Sequence, residues 1–318
     1  MPPTTSRELS AFLDGLTSGS QASAAELTIL SDLDRSEAAQ LREAWPSIPD
    51  PARERILTLA VELSEDNVDL SFEALAKIAV HDSLASVRQH AAEALWESDD
   101  RAAATALRDL LVHDPDESVR EAAAQSIGHF VLMRELDQFD AAEGDAIVAA
   151  LREIATDSGQ PTGVRALALE ALGVRSLHWV GAVIEEAYES DDRRMRIAAL
   201  HAMGASADER WLEYIHEQFY ADDSEFRFEA VVAAGSVASE DSVEALIPLL
   251  DDEDSLVTIA TVEALGEISG EEALRALKDF QKRAPEGMDE VVSVAIEVAA
   301  EGGLDRMFQD SEEEDEEW

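Results

Sequence analysis

The chain of 318 residues carries 70 acidic side chains against 24 basic ones, a formal net charge of −46. A surface of that sign repels phosphate backbones, because non-specific nucleic-acid affinity comes mainly from Lys and Arg displacing counterions. It disfavours anionic membranes for the same reason, so neither nucleic acid nor membrane is expected as a partner. Cysteine is absent, which excludes disulfides, thiolate metal sites and a cysteine nucleophile, while 46% hydrophobic residues suffice for a core.

No targeting or membrane segment is expected. The apolar stretch Leu9–Leu16 is broken by Asp14, and the longest run free of formal charge, Ala122–Met133, falls short of the ~20 apolar residues a membrane helix needs. The expected compartment is the cytoplasm. Only Lys77, Lys278 and Lys282 are lysines among the cations, and an acid-rich, lysine-poor surface suits a high-salt interior, where screening relieves self-repulsion. The melting temperature is therefore expected to rise with NaCl well past ~0.5 M. A flat or falling curve in a thermal scan would remove the halophilic reading and leave the acidity as a binding feature.

Taken in chain order, residues 1–35 read as an N-terminal helical cap, 36–305 as a repeat array and 306–318 as a disordered acidic tail. In the array an apolar-Arg pair opens a recurring segment at Val87, Val119, Val164, Met195 and Phe226. Val257 opens one with Thr258 in the Arg place, and weaker copies begin at Ala52 and Val291. Start-to-start spacings from Val87 to Val257 are 32, 45, 31, 31 and 31, the long one holding an insertion around Arg134–Gly144. Each strong copy follows a second amphipathic segment: 72–80, 103–112, 146–155, 180–188, 211–219 and 243–250, with 272–280 before the copy at Val291. Apolar residues recur there at i, i+3, i+4 and i+7, as in Leu107, Leu110 and Leu111, and strand-like alternation is missing. The unit is helix A, a short acidic turn and helix B. One such hairpin cannot bury its own apolar faces but stacked neighbours can, which predicts an all-α, right-handed α-solenoid of seven to eight repeats. Counted from the Arg, offsets −1, +3, +4, +6 and +7 of helix B share the buried arc. Glycine at +8 (Gly128, Gly173, Gly204, Gly235, Gly266) is expected to cap helix B with a positive φ, and Trp96 replaces it once.

These residues resemble the HEAT-repeat family, particularly the short HEAT-like repeats of the bilin lyases. The nearest copy to the family pattern runs from Ser242 to Gly266, where Pro248 matches a mid-helix-A proline that bends the helix. The resemblance covers roughly residues 36–304. It implies a structural ladder in which Arg88, Arg120, Arg165, Arg196 and Arg227 pair with the Asp of the A–B turn, where Asp82, Asp114, Asp191 and Asp222 lie.

Little points to chemistry. Asp32, Asp34, Ser36 and Glu43 match calcium-loop spacing, but Glu37 stands where such a loop needs glycine. Deoxyhypusine hydroxylases, a metalloenzyme branch of the family, carry paired His-Glu dipeptides, and this chain has only His216-Glu217. No phosphate-cradling, nucleophile-elbow or zinc-protease motif occurs. No catalytic residue, metal or cofactor is expected, and the chain reads as a scaffold for another protein that offers a basic segment. The alternative is a chromophore- or cofactor-handling enzyme, or its accessory subunit, of the bilin-lyase type, which needs no cysteine of its own. The partner surface is expected on helix B offsets +1 and +5, opposite the buried arc on the concave side. There Glu93, Glu170, Glu263 and Glu297 form an acidic stripe around an apolar floor of Ile197, Phe228, Val232 and Ile259.

Overall fold

The computed structural model describes residues 6–316, and side chains as far as Gly302. Among the described residues there is no strand. The helices are α1 (Ser6–Thr17), α2 (Ala24–Leu27), α3 (Arg35–Ala44), α4 (Asp50–Asp66), α5 (Glu73–Ala79), α6 (Ala85–Glu93), α7 (Arg101–His113), α8 (Glu117–Ser126), α9 (Gly128–Glu135), α10 (Ala141–Thr156) and α11 (Thr162–Leu172). They continue with α12 (His178–Tyr188), α13 (Arg193–Ala205), α14 (Leu212–Gln218), α15 (Ser224–Val237), α16 (Val243–Leu246), α17 (Ser255–Ile268), α18 (Gly270–Gln281) and α19 (Asp289–Glu316). The chain divides into two compact units, 1–171 and 172–318.

Within each unit, A and B helices alternate and pack as antiparallel pairs, the α-solenoid arrangement. In the first unit α5/α6 and α7/α8 are such pairs, with α4 serving as the helix B of the copy at Ala52. The N-terminal helices add to this stack, α1 lying on α3 and α2 on α4, with Leu9, Leu13, Leu16 and Leu27 buried. The insertion in the long spacing is a non-helical connection, 136–140, between α9 and α10: α8 breaks at Ile127, α9 carries the chain on to Glu135, and Phe130 and Phe139 pack with ring centroids 5.1 Å apart. In the second unit the pairs are α12/α13, α14/α15, α16/α17 and α18/α19. The expected proline bend is present, since α16 stops at Leu246 and a 3-10 turn, Ile247–Asp251, carries Pro248.

The acidic turns start the B helices. Oδ1 of Asp116, Asp192, Asp223 and Asp254 accepts a backbone N–H two residues on, capping α8, α13, α15 and α17. Such a cap satisfies a donor the helix cannot and sets a negative charge at the positive end of its dipole. Asp34 caps α3 in the same way, with Glu37 completing a capping box, so Asp34 of the calcium-like spacing serves a helix start.

The expected role of the glycines is overturned. The positive-φ glycines among the described residues are Gly19, Gly270 and Gly287, none of them at offset +8. Gly204, Gly235 and Gly266 lie inside α13, α15 and α17, and the left-handed residues come three positions later, at Ala207, Ala238 and Ser269. What the glycines provide is clearance. A Cβ at Gly173 would stand 2.8 Å from Cα of Ala202, at Gly204 2.7 Å from Ala233, at Gly235 3.0 Å from Ala264, and at Gly266 3.1 Å from Ala295. Offset +8 of one helix B therefore meets offset +6 of the next, backbone to backbone.

The acidic segment 306–318, expected to be disordered, continues α19 as helical backbone to Glu316, consistent with the high helix propensity of Glu. Glu317 and Trp318, the aromatic end of that segment, lie outside the described residues. No helix among the described residues is long and apolar enough to cross a membrane.

Candidate interaction surface on the B helices

Of the five arginines expected to form a ladder, Arg88 and Arg227 pair with an aspartate, and each reaches the next repeat's turn rather than its own. Arg88 donates Nε and Nη2 to Oδ2 and Oδ1 of Asp114 at 2.7 and 2.9 Å, a bidentate pair reaching the next repeat's turn. From its own turn it takes only backbone, its Nη1 donating to the Asp82 carbonyl at 2.9 Å. Arg227 repeats the pattern with Asp252 at 2.8 Å through both nitrogens, and with its own Ala221 carbonyl. Arg53 reaches Asp82 at 3.0 Å, so Asp82 is engaged by the preceding repeat. The fork geometry explains the division: five donors can serve carbonyls on one side and a carboxylate on the other. Arg120 departs, donating to the Leu111 carbonyl and to the side-chain oxygen of Gln160 in the next A–B turn. Arg165 donates to the Ala155 carbonyl, and Arg196 lies over the Phe226 ring at 4.6 Å. At Thr258 the hydroxyl donates to the Asp252 and Asp254 carbonyls at 3.4 and 3.5 Å.

Electrostatics follow the pairing. Burial pushes the Asp114 and Asp252 carboxyls up, but the hydrogen bonds from Arg88 or Arg227 and from backbone N–H groups outweigh it and leave both below their ordinary value. Arg88 and Arg227 thus spend these donors inside the protein.

The last repeat needs a register correction. Ala295 takes the contact with Gly266 that Ala202, Ala233 and Ala264 take in earlier repeats, so it sits at offset +6. The apolar anchor of α19 is then Met288, buried like its equivalents, with Val292 and Ala295 following it into the core. Val291 is not the anchor. Glu297 consequently falls at +8 and Val294, 55% exposed, at +5.

In the first unit Glu93 on α6 and Glu170 on α11 are half-buried at +5, with Gln125 exposed between them in sequence. In the second unit Ile197 (α13), Phe228 (α15) and Ile259 (α17) are half-buried at +1, and Val232 is exposed at +5. Glu263 is exposed at +5 of α17. The helices carrying these residues, α13, α15 and α17, pack against one another in order through the glycine-alanine contacts, so the +1 and +5 residues occupy neighbouring rows. Glu229, at +2 of α15, was missed by the sequence reading. Burial, and then the charge of Glu225, pushes its carboxyl above the ordinary value. Glu267 is raised the same way, by burial and then by Glu263, and its carboxylate lies over Gly235. Burial lowers the His201 imidazole. This surface combines apolar side chains with carboxylates whose charge is poorly solvated, an arrangement that gains from an added cation. Among the described residues no group of His, Asp and Glu is placed to hold a metal ion.

The model for HEAT repeats matches residues 72–173 and 213–300. Among solved structures, the complex of CpcE and CpcF of the phycocyanin lyase from Nostoc sp. PCC7120 is similar with a TM-score of 0.53 and 20% identity, covering 83% of this chain and 96% of that one. YibA of E. coli is 18% identical over 94% of this chain and 99% of its own, with a TM-score of 0.45. Kap121p bound to Pho4p is 14% identical over 92% of this chain and 38% of its own, at 0.49. No curated protein sequence matches.

Proposed function

Because this chain belongs to the HEAT-repeat family, whose repeats here leave an apolar row among carboxylates, we propose that it is a non-enzymatic scaffold that binds another protein through a basic segment. The observation that carries this reading is the surface of α13, α15 and α17. Ile197, Phe228, Val232 and Ile259 supply apolar contact, Glu263 supplies an exposed carboxylate, and the Glu229 and Glu267 carboxyls are raised by burial and then by a like-charged neighbour. A basic helix or tail laid there would be steered in by charge and retained by the apolar row. The CpcE–CpcF structure supports the idea at the level of fold, since there a chain of similar fold is one half of a protein complex.

That same likeness favours a second reading, a chromophore-handling enzyme or its accessory subunit. Purification of the chain from its host separates the two. The scaffold reading expects a co-purifying protein that is lost on Val232→Glu and retained on Tyr220→Ala, a substitution at an exposed residue beyond α14. Visible absorbance in the purified protein, or bilin transfer to an acceptor, would overturn it.

A further inference from the structure

The glycine-alanine pairing of successive B helices, which begins with Gly128 and Ala171, is absent between α6 and α8, and a groove opens there. In the first unit a Cβ at Gly128 would stand 3.6 Å from Cβ of Ala171, a looser version of the same contact. Between α6 and α8 the equivalent positions are Trp96, at +8, and Ser126, at +6. An indole cannot enter a gap that in the second unit has no room even for a Cβ. Trp96 instead follows the end of α6, 53% exposed, beside a groove of about 510 Å3. Val61 and Glu65 of α4 line the groove, with Glu93, Trp96, Ser126 and His129. No lysine or arginine lines it, and the one group there that could carry positive charge, His129, is held at 2.8 Å by Asp99. Glu93 is fixed from its own helix, Gln89 donating to it at 3.0 Å.

We propose that this groove is a recognition pocket for an arginine side chain presented by a protein partner. A half-exposed indole lining one groove with two carboxylates matches a guanidinium, which stacks on aromatic rings, is weakly hydrated and donates from several nitrogens to acceptors in its plane. Val61 provides apolar wall for the methylene stem. An ammonium keeps more of its hydration and gains less from the indole, so lysine fits less well. The proposal rests on the reading that the partner is a protein with a basic segment, but places its anchor in the first unit.

The test uses the full chain and a small probe, so it is independent of any partner. The five tryptophans give indole N–H signals in 1H–15N spectra, and Trp96→Phe identifies that of Trp96. Titration with N-acetyl-arginine amide should move that signal saturably, with a dissociation constant on the order of millimolar. Glu65→Gln and Glu93→Gln should each weaken the probe by about threefold or more, and the lysine analogue should bind more weakly by a similar factor. Glu65 is exposed and its substitution is not expected to disturb folding. The absence of a saturable Trp96 shift would overturn the proposal. So would an equal response to the uncharged citrulline analogue, or an unchanged affinity in the double glutamine variant. Saturable arginine binding in a chain that captures no protein would sustain the pocket and sink the scaffold reading, whereas capture without probe binding would do the reverse.

Discussion

Asp82→Ala should lower the stability of the first unit by about 3–5 kcal/mol, the range for leaving one member of a buried ion pair without its partner. The Asp82 side chain is fully buried and accepts from Nη1 of Arg53 at 3.0 Å, Nε1 of Trp45 at 2.8 Å, the Leu84 backbone N–H at 2.9 Å and the Ser83 hydroxyl at 3.4 Å. Alanine leaves an indole N–H and a guanidinium N–H inside the protein without an acceptor, and each carries its own desolvation penalty. Arg53 retains Asp50 at 2.6 Å, which keeps the loss from growing further. Urea denaturation followed by circular dichroism measures the effect. A loss below about 1 kcal/mol would mean that the ladder ties repeats no more strongly than an exposed ion pair does.

Gly204→Ala tests the glycine-alanine pairing. Alanine in a helix interior normally stabilises by up to ~1 kcal/mol relative to glycine. Here its Cβ would stand 2.7 Å from Cα and 3.0 Å from Cβ of Ala233, so α13 and α15 must move apart. Overpacking of this kind costs about 1–3 kcal/mol, and the propensity gain offsets only part of it. Gly128→Ala makes the contrast, because its Cβ would meet Ala171 at an ordinary 3.6 Å and should be neutral or mildly stabilising. Opposite signs in the two denaturation midpoints are the expected result. A stabilised Gly204→Ala would show that glycine is there for some reason other than clearance.

The contrast between what was legible in the sequence and what was not follows the range of the interactions. Helix positions came through because periodicity within one segment records which face is buried: the expected 180–188 lies within α12, and the expected 103–112 lies within α7. Contacts between repeats leave a fainter trace. The glycines at +8 read as caps because a glycine near a helix end usually is one, whereas the Ala at +6 of the next copy identifies them as a packing pair. Arg88 reads as pairing with the near Asp82, while its fork spans two turns and takes the far Asp114. Met288 lies 31 residues beyond Val257, so the spacing already marked the last repeat, and Val291 drew attention only by being the more typical anchor. Glu229 was not legible at all, since its raised carboxyl depends on burial by neighbouring helices.

Phe228→Ala tests the partner surface most directly. At +1 of α15 the ring is half-buried, between the exposed Val232 row and the core of the stack. If it belongs to the binding surface, truncation should leave thermal melting nearly unchanged and weaken the co-purified partner by more than about tenfold, as removal of an interface anchor does. A stability loss of about 3–5 kcal/mol with unchanged partner affinity would make Phe228 a core residue and would contradict the placement of the binding surface on α13, α15 and α17.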